Sequence, residues 1–314
     1  MIRAHDITKT FPVRSGRLRR LTRLVEAVDH IDLTVESGEM VGYIGPNGAG
    51  KSTTIKMMTG ILAPTSGELS VLGLEPVSRR KELARRIGVV FGQRTQLWWD
   101  LPLGESFDLL HRVYRTSATR HRENLSDMIE VLDVRDLLDV PVRQLSLGQR
   151  MRGELIGAML HDPEILFLDE PTIGLDVVSK HAVRGFLGRL NRERGTTVIL
   201  TTHDLADIEH LCRRMVIVDH GRIVYDGELE RFRSEYGSER TVVVDLMEPV
   251  EAVRVPKARS VDVDGVRQWV RFDRRETTAA EVIAGIVGQV EVRDVTVEEP
   301  RIEDLVRHLY TGGE

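Results

Sequence analysis

Residues 45–53 carry the clearest chemical pattern in this sequence, because they fit the phosphate-binding loop G-x-x-x-x-G-K-[ST]. Glycines allow a tight backbone bend that brings successive N–H groups against phosphate oxygens. Lys51 adds a mobile positive charge for the β- and γ-phosphates, and the Ser52 hydroxyl is the kind of oxygen ligand that Mg²⁺ prefers. The predicted nucleotide-phosphate site consists of Gly45, Pro46, Asn47, Gly48, Ala49, Gly50, Lys51, Ser52 and Thr53.

A second set of reactive residues is a carboxylate pair. Asp169 and Glu170 come directly after the apolar run 165–168, which predicts a buried strand. Ligands of open α/β sheets bind outside the carboxyl ends of the strands, so the pair is expected at the binding edge. Asp169 can hold Mg²⁺, and Glu170 can orient and deprotonate an attacking water. A solvated turn is the alternative interpretation, which the preceding apolar run disfavours.

A parallel sheet must position these groups, and short apolar runs predict its strands. The predicted strands are 40–44, 87–91, 164–168 and 197–201. Residues 52–62 suit a helix whose N-terminus favours anions. Apolar spacing near 3.6 residues over 105–140 predicts helices rather than further strands, so we expect a helical subdomain over about residues 94–162.

The N-terminal region is expected to contribute strands at 2–10, 31–35 and 68–72. Residues 12–25 lie between the first two of these strands and are rich in arginine. They predict a solvated, mobile insertion, with a contact to anionic lipid headgroups or a membrane partner as the alternative.

Composition restricts the class of protein. The net charge of −5 over 314 residues argues against general nucleic-acid binding, which usually needs a basic face. Cys212 is the only cysteine, which excludes an intrachain disulfide and fits a reducing, cytoplasmic setting. No run of about 18 apolar residues occurs, so any bilayer crossing would have to come from other chains.

Taken in order, these motifs resemble those of the nucleotide-binding subunit of an ATP-binding cassette (ABC) transporter, over residues 1 to about 230. Residues 145–149, Leu-Ser-Leu-Gly-Gln, resemble the family's LSGGQ signature, which is far more specific than the phosphate loop. The resemblance implies that Asp169, Ser52 and Gln93 bind Mg²⁺, with Gln93 also sensing the γ-phosphate. It implies that Glu170 is the general base and His203 the switch histidine.

The resemblance also implies that two subunits share each ATP. Ser146, Gly148 and Gln149 would bind the γ-phosphate held by the opposite subunit, whereas a serine at a helix start is ordinarily only an N-cap. By the same resemblance, Asp176 would belong to a loop that communicates across the dimer, and Phe11 would stack on adenine, with core packing as its alternative. Leu147 departs from the pattern, because the family has a glycine there.

The resemblance suggests a fold and a domain order. The expected fold is an α/β P-loop NTPase of the ABC ATPase type, with an antiparallel β subdomain and a helical subdomain, plus a small α+β C-terminal domain. The ATP-binding domain would cover residues 1–234 and the accessory domain residues 235–314, which resembles the short tail of exporter subunits. The resemblance implies that Trp98 and Trp99 lie in the segment where this family docks its membrane partner, with internal packing as the alternative.

The expected function is ATP hydrolysis that powers export of a hydrophobic or drug-like substrate or a lipid. The expected cofactors are ATP and Mg²⁺. The expected partners are separate integral-membrane permease subunits and a second ATPase subunit, as a homodimer, at the cytoplasmic face of the cell membrane, with no nucleic acid. The alternatives are an importer-type ATPase, and a non-transport ABC ATPase acting on ribosomes or DNA.

Overall fold

The computed structural model describes residues 1–15, 21–91 and 95–311, and the chain divides into two compact units, residues 1–227 and 228–314. The first unit contains β1 (Ile2–Ser15), β2 (Leu21–Val35), β3 (Met40–Ile44), α1 (Lys51–Met58), β4 (Ser66–Val71), α2 (Arg80–Leu83), β5 (Ile87–Phe91), α3 (Leu103–Tyr114), α4 (Ala118–Val131), α5 (Leu147–Met159), β6 (Ile165–Asp169), α6 (Val177–Arg194), β7 (Thr197–Thr201), α7 (Leu205–Leu211), β8 (Arg214–Asp219) and β9 (Arg222–Glu228).

A six-stranded sheet with the order β5-β6-β7-β3-β8-β9 forms the centre of the first unit. Strands β5, β6, β7, β3 and β8 pair in parallel. Every residue of β3 and β7 is buried, which explains why these strands read as continuous apolar or β-branched runs. Because β7 lies between β6 and β3, the carboxyl ends of these three strands meet at one edge of the sheet.

A second, antiparallel sheet has the order β2-β1-β4. Our prediction of an insertion at residues 12–25 was wrong where the structure describes that segment. Strands β1 and β2 continue into it as a paired ribbon, with Pro12 opposite Leu24 and Val13 opposite Arg23. Backbone pairing satisfies N–H and C=O groups whatever the side-chain charge, and arginines on a two-stranded ribbon can stay solvated. Residues 16–20 lie outside the described part of the chain.

Helices α3, α4 and α5 occupy the stretch between β5 and β6, and α3 and α4 fall where the apolar spacing over 105–140 predicted helices. Helix α3 ends at Tyr114, and Arg115 takes a left-handed conformation (φ 56°) before α4 begins at Ala118. Across the described residues, no helix combines the length and apolar composition needed to span a membrane.

The second unit contains α8 (Leu229–Tyr236), β10 (Glu239–Leu246), β11 (Ala258–Asp264), β12 (Arg267–Asp273), α9 (Ala279–Val287), β13 (Val292–Glu298) and α10 (Ile302–Thr311). Its antiparallel sheet has the order β11-β12-β10-β13. Val282 and Ile286 of helix α9 share one buried apolar cluster with Val244 and Phe272 of the sheet. Alternating apolar residues thus build a separate small core. The predicted boundary after residue 234 stays a prediction.

Candidate active site

The predicted phosphate loop connects β3 to α1, and a cleft of about 910 Å³ lies over it. Besides loop residues 45–53, this phosphate cleft is lined by Ala27, Lys56, Ile61, Phe91, Asp169, Glu170, Ile173 and His203. Gly50 has φ 99°, and a Cβ there would lie 2.2 Å from the carbonyl oxygen of Ala27. Only glycine tolerates both the torsion and this close approach, which explains the second glycine of the motif.

Lys51 lies at the start of α1 and is almost fully buried. Its Nζ donates hydrogen bonds to the carbonyl oxygens of Gly45 (2.6 Å) and Pro46 (3.1 Å). Burial lowers the pKa of Lys51, while the nearby charges of Glu170 and Asp169 act in the opposite direction. The ammonium group is therefore held over its own loop, where phosphate oxygens can replace the carbonyls as its partners.

Asp169 ends strand β6 and meets the phosphate loop across β7. Its Oδ1 accepts hydrogen bonds from the hydroxyls of Thr201 (2.6 Å) and Ser52 (3.3 Å). A serine hydroxyl and a carboxylate therefore lie together beside the loop, and these are the oxygen donors that Mg²⁺ prefers. The pair fits the predicted metal site. Gln93, the third predicted ligand, lies outside the described residues.

Glu170 is the first residue beyond β6, and its backbone takes a left-handed conformation with φ 56°. Such a torsion costs a non-glycine residue about 1–3 kcal/mol, and strained residues of this kind cluster at functional sites. The Glu170 N–H donates to the Thr201 carbonyl (3.0 Å), and its Oε2 lies 2.7 Å from Nδ1 of His203. Loops following β6 and β7 thus bring the predicted base and switch histidine into hydrogen-bond contact.

Asp207 of α7 is a residue that the sequence analysis missed. It is fully buried and accepts hydrogen bonds from two threonines. Thr172 lies two residues after Glu170, and Thr202 lies directly before His203. Arg184 balances the charge of Asp207, with Nε 2.6 Å from Oδ1. This network fixes the two loops that carry Glu170 and His203. Its position between the apolar residues at 205 and 208 is the signal that could have indicated burial.

Ser146, Gly148 and Gln149 lie at the start of α5. The Ser146 hydroxyl accepts a hydrogen bond from the Gln149 N–H (3.2 Å), and Gln149 Oε1 accepts one from the Ser146 N–H (2.9 Å). This capping box satisfies N–H groups that the first helical turn leaves without partners. A Cβ at Gly148 would lie 2.5 Å from Ser179 Oγ, so α5 begins close to the start of α6.

Asp176 caps helix α6 and is exposed. Its two carboxylate oxygens accept hydrogen bonds from the Ser179 N–H (2.9 Å) and hydroxyl (2.8 Å). Phe11 lies on β1 opposite Val25, with Lys9 Nζ 5.4 Å from its ring centroid. In the described part of the chain the phosphate cleft is therefore lined by Lys51, Ser52, Asp169, Glu170 and His203, but not by Phe11, Ser146, Gly148, Gln149 or Asp176.

Known proteins are similar to this chain in sequence and in fold. A family model described as ABC transporter matches residues 28–173. The ABC transporter ATP-binding protein NatA of Bacillus subtilis is 34% identical over 227 residues, which cover 72% of this chain and 91% of that protein. This chain belongs to the ABC transporter ATP-binding protein family. The predicted family and ATPase activity are confirmed, and ATP is the nucleotide.

Further relatives and solved structures extend the match for this ABC ATPase. The daunorubicin resistance ATP-binding protein DrrA3 of Streptomyces coeruleorubidus is 33% identical over 294 residues, covering 90% of this chain and 91% of that protein. A dimeric post-hydrolysis structure of the ATP-binding cassette MJ0796 with ADP and Pi is 26% identical, covers 73% of this chain and 99% of that one, and has a TM-score of 0.63. The predicted ABC ATPase fold is confirmed.

Proposed function

We propose that this ABC ATPase powers export of a hydrophobic or drug-like compound or a lipid through separate permease chains, at the cytoplasmic face of the cell membrane. The supporting observation is the length of the match to export-type relatives. DrrA3 aligns with 90% of this chain, and the Nod factor export ATP-binding protein I of Cupriavidus metallidurans is 35% identical over 85% of it. These alignments extend beyond the catalytic unit into residues 228–314.

The working form in this proposal is a homodimer that closes on two ATP molecules. The phosphate cleft lacks the signature residues, which lie at the start of α5 beside the start of α6. Val177 and Val178 begin α6 and are 84% and 79% exposed, a pair of apolar side chains suited to cover by a second subunit. The MJ0796 cassette was solved as a dimer, which supports this arrangement.

Each residue then has a role in hydrolysis. Backbone N–H groups of loop residues 45–53 and Lys51 hold the phosphates, and Glu170 removes a proton from the attacking water. His203 orients Glu170 and contacts the γ-phosphate. Ser52 and Asp169 would hold Mg²⁺, which would neutralise phosphate charge during hydrolysis. Ser146, Gly148 and Gln149 of the second subunit complete the pocket.

The test is to isolate the chain with its membrane partner and to identify that partner by mass spectrometry. In reconstituted vesicles, daunorubicin and fluorescent lipid serve as probes of transport. We expect a stimulated ATPase rate and ATP-dependent movement of a probe away from the side that carries the ATPase. A complex with Glu170→Gln is the matched control and should move nothing. Stimulation only by a solute-binding protein, or isolation with ribosomes or nucleic acid and no permease, would contradict the proposal.

A further inference from the structure

Glu154 is a buried carboxylate that the mechanism above does not use. It lies about two turns into α5, is 3% exposed, and faces the segment 95–97 rather than the phosphate cleft. Thr95 Oγ1 donates to its Oε1, and the Gln96 N–H donates to its Oε2 (3.1 Å). Burial raises the pKa of Glu154, and these hydrogen bonds oppose that effect. A buried ionisable group is costly unless partnered, and both of its oxygens are used on one short segment.

The surrounding surface of α5 is shaped to receive the same segment. Gln96 Nε2 donates to the backbone carbonyl of Glu154 (3.0 Å). A Cβ at Gly157 would lie 3.3 Å from Gln96 Nε2 and 3.5 Å from Leu97 Cδ2, and one at Gly153 would lie 3.2 Å from Leu97 Cδ1. The atoms nearest to these added Cβ positions belong to α3, with Leu103 Cδ1 at 2.8 Å from Gly153 and Leu110 Cδ1 at 3.0 Å from Gly157. The absence of side chains at the two glycines therefore lets both α3 and segment 95–97 approach α5 closely. Glu154 therefore anchors segment 95–97 at a closely packed contact with α5.

The two partners in this contact, α5 and segment 95–97, lead to different parts of the molecule. Helix α5 begins at the capping residue Ser146. Segment 95–97 continues into Trp98 and Trp99, which are 39% and 48% exposed. The Trp98 N–H donates to the hydroxyl of Ser106, a fully buried residue of α3 (3.2 Å). The segment that leads to the exposed tryptophans is thus held by hydrogen bonds to one carboxylate of α5, the helix that Ser146 caps.

We propose that Glu154 is a positioning residue for ATP hydrolysis. It fixes segment 95–97 to α5, so that Trp98 and Trp99 move as one body with the signature residues Ser146, Gly148 and Gln149. The proposal rests on the ATPase activity and does not depend on the direction of transport. It follows that removing the carboxylate uncouples the two parts without damaging the phosphate cleft.

Kinetics of the purified full-length chain give the first test. Glu154→Leu keeps a buried side chain but removes both acceptors, and it should lower kcat about tenfold with KM for ATP changed less than about twofold. Glu154→Gln should retain most of the rate, because its amide can accept from the Gln96 N–H and donate to Thr95 Oγ1. Thr95→Val removes one donor and should lower kcat, and the double variant should be no slower than Glu154→Leu alone. Glu105→Gln, on the exposed face of α3, is the control.

Hydrogen exchange gives a readout that a purely structural role would not change. With a non-hydrolysable ATP analogue and Mg²⁺, we expect exchange to change in residues 95–99 and 146–149 together in the parental chain. In Glu154→Leu the change in 95–99 should disappear while analogue binding persists. If Glu154→Leu fails to fold, Thr95→Val carries the same test, because Thr95 is exposed. Unchanged kcat and unchanged exchange in both variants, or equal loss of rate in Glu154→Gln and Glu154→Leu, would overturn the proposal.

Discussion

Leu147 packs against Gly174, so the signature segment and the loop after Glu170 are in contact within one subunit. A Cβ built on Gly174 would lie 2.7 Å from Leu147 Cδ2, and Gly174 has φ 68°. Leu147 stands where the family signature has a glycine, and this contact explains how its side chain is accommodated. It packs beside the loop, while Ser146 and Gln149 keep their capping box.

The contact predicts the effect of a methyl group at Gly174. Gly174→Ala should lower the free energy of unfolding by about 1–3 kcal/mol, because the left-handed torsion and the approach of Leu147 both oppose a side chain. Adding Leu147→Gly to this variant should restore only the part of the lost stability that comes from the approach of Leu147. Denaturant unfolding measures the change, and Gly185→Ala in α6, which has open space around its Cβ position, is the control. Equal stability of Gly174→Ala and the parental chain would contradict the geometry.

The hydrogen bonds of Lys51 predict its contribution to nucleotide affinity. Lys51→Ala should weaken ATP binding about 10- to 100-fold, because hydrogen bonds to charged groups contribute about 1.5–3 kcal/mol. Isothermal titration calorimetry measures the affinity, and Lys81→Ala on the exposed surface of α2 is the charge-matched control. Unchanged affinity would show that Lys51 does not hold the phosphates.

Glu170 is predicted to act as the general base. Glu170→Gln preserves shape but removes the proton acceptor, so kcat should fall about 10²–10⁴-fold while ATP stays bound. An ATP-dependent dimer should then accumulate, visible by size-exclusion chromatography with light scattering. Glu68→Gln on the exposed part of β4 is the control. Hydrolysis at the parental rate would mean that another group takes the proton.

Asp273 predicts a pH dependence of stability in the second unit. Its side chain is 2% exposed and paired with Arg259, and hydrogen bonds from the Arg275 guanidinium and N–H hold the pKa of Asp273 well below its usual value. A lowered folded-state pKa stabilises the fold above the unfolded pKa, and this stabilisation is lost as pH falls.

Asp273→Asn should therefore be less stable than the parental chain at neutral pH, and the gap should narrow from about pH 5 to about pH 3. Trp269 of β12 reports on this unit when Trp98 and Trp99 are replaced by phenylalanine. Asp264→Asn at the exposed end of β11 is the control. A gap that stays constant over this pH range would exclude the ionic contribution of Asp273.

Local sequence patterns predicted the phosphate loop, the carboxylate pair and the signature segment, and they were enough to identify the family. Short-range chemistry defines these features, because glycine torsions, strand burial and helix capping depend on neighbouring residues. The sequence also indicated the small α+β unit, since alternation of apolar residues is a local pattern.

The distant residues that support the site become apparent in the three-dimensional structure. Thr95 and Glu154 are separated by 59 positions, and Thr172 and Asp207 by 35, yet each pair is joined by a hydrogen bond. The strand order and the path of α5 create these contacts, so no local pattern predicts them. The ribbon at residues 12–15 and 21–25 was also not predicted, because backbone pairing outweighed an arginine-rich composition.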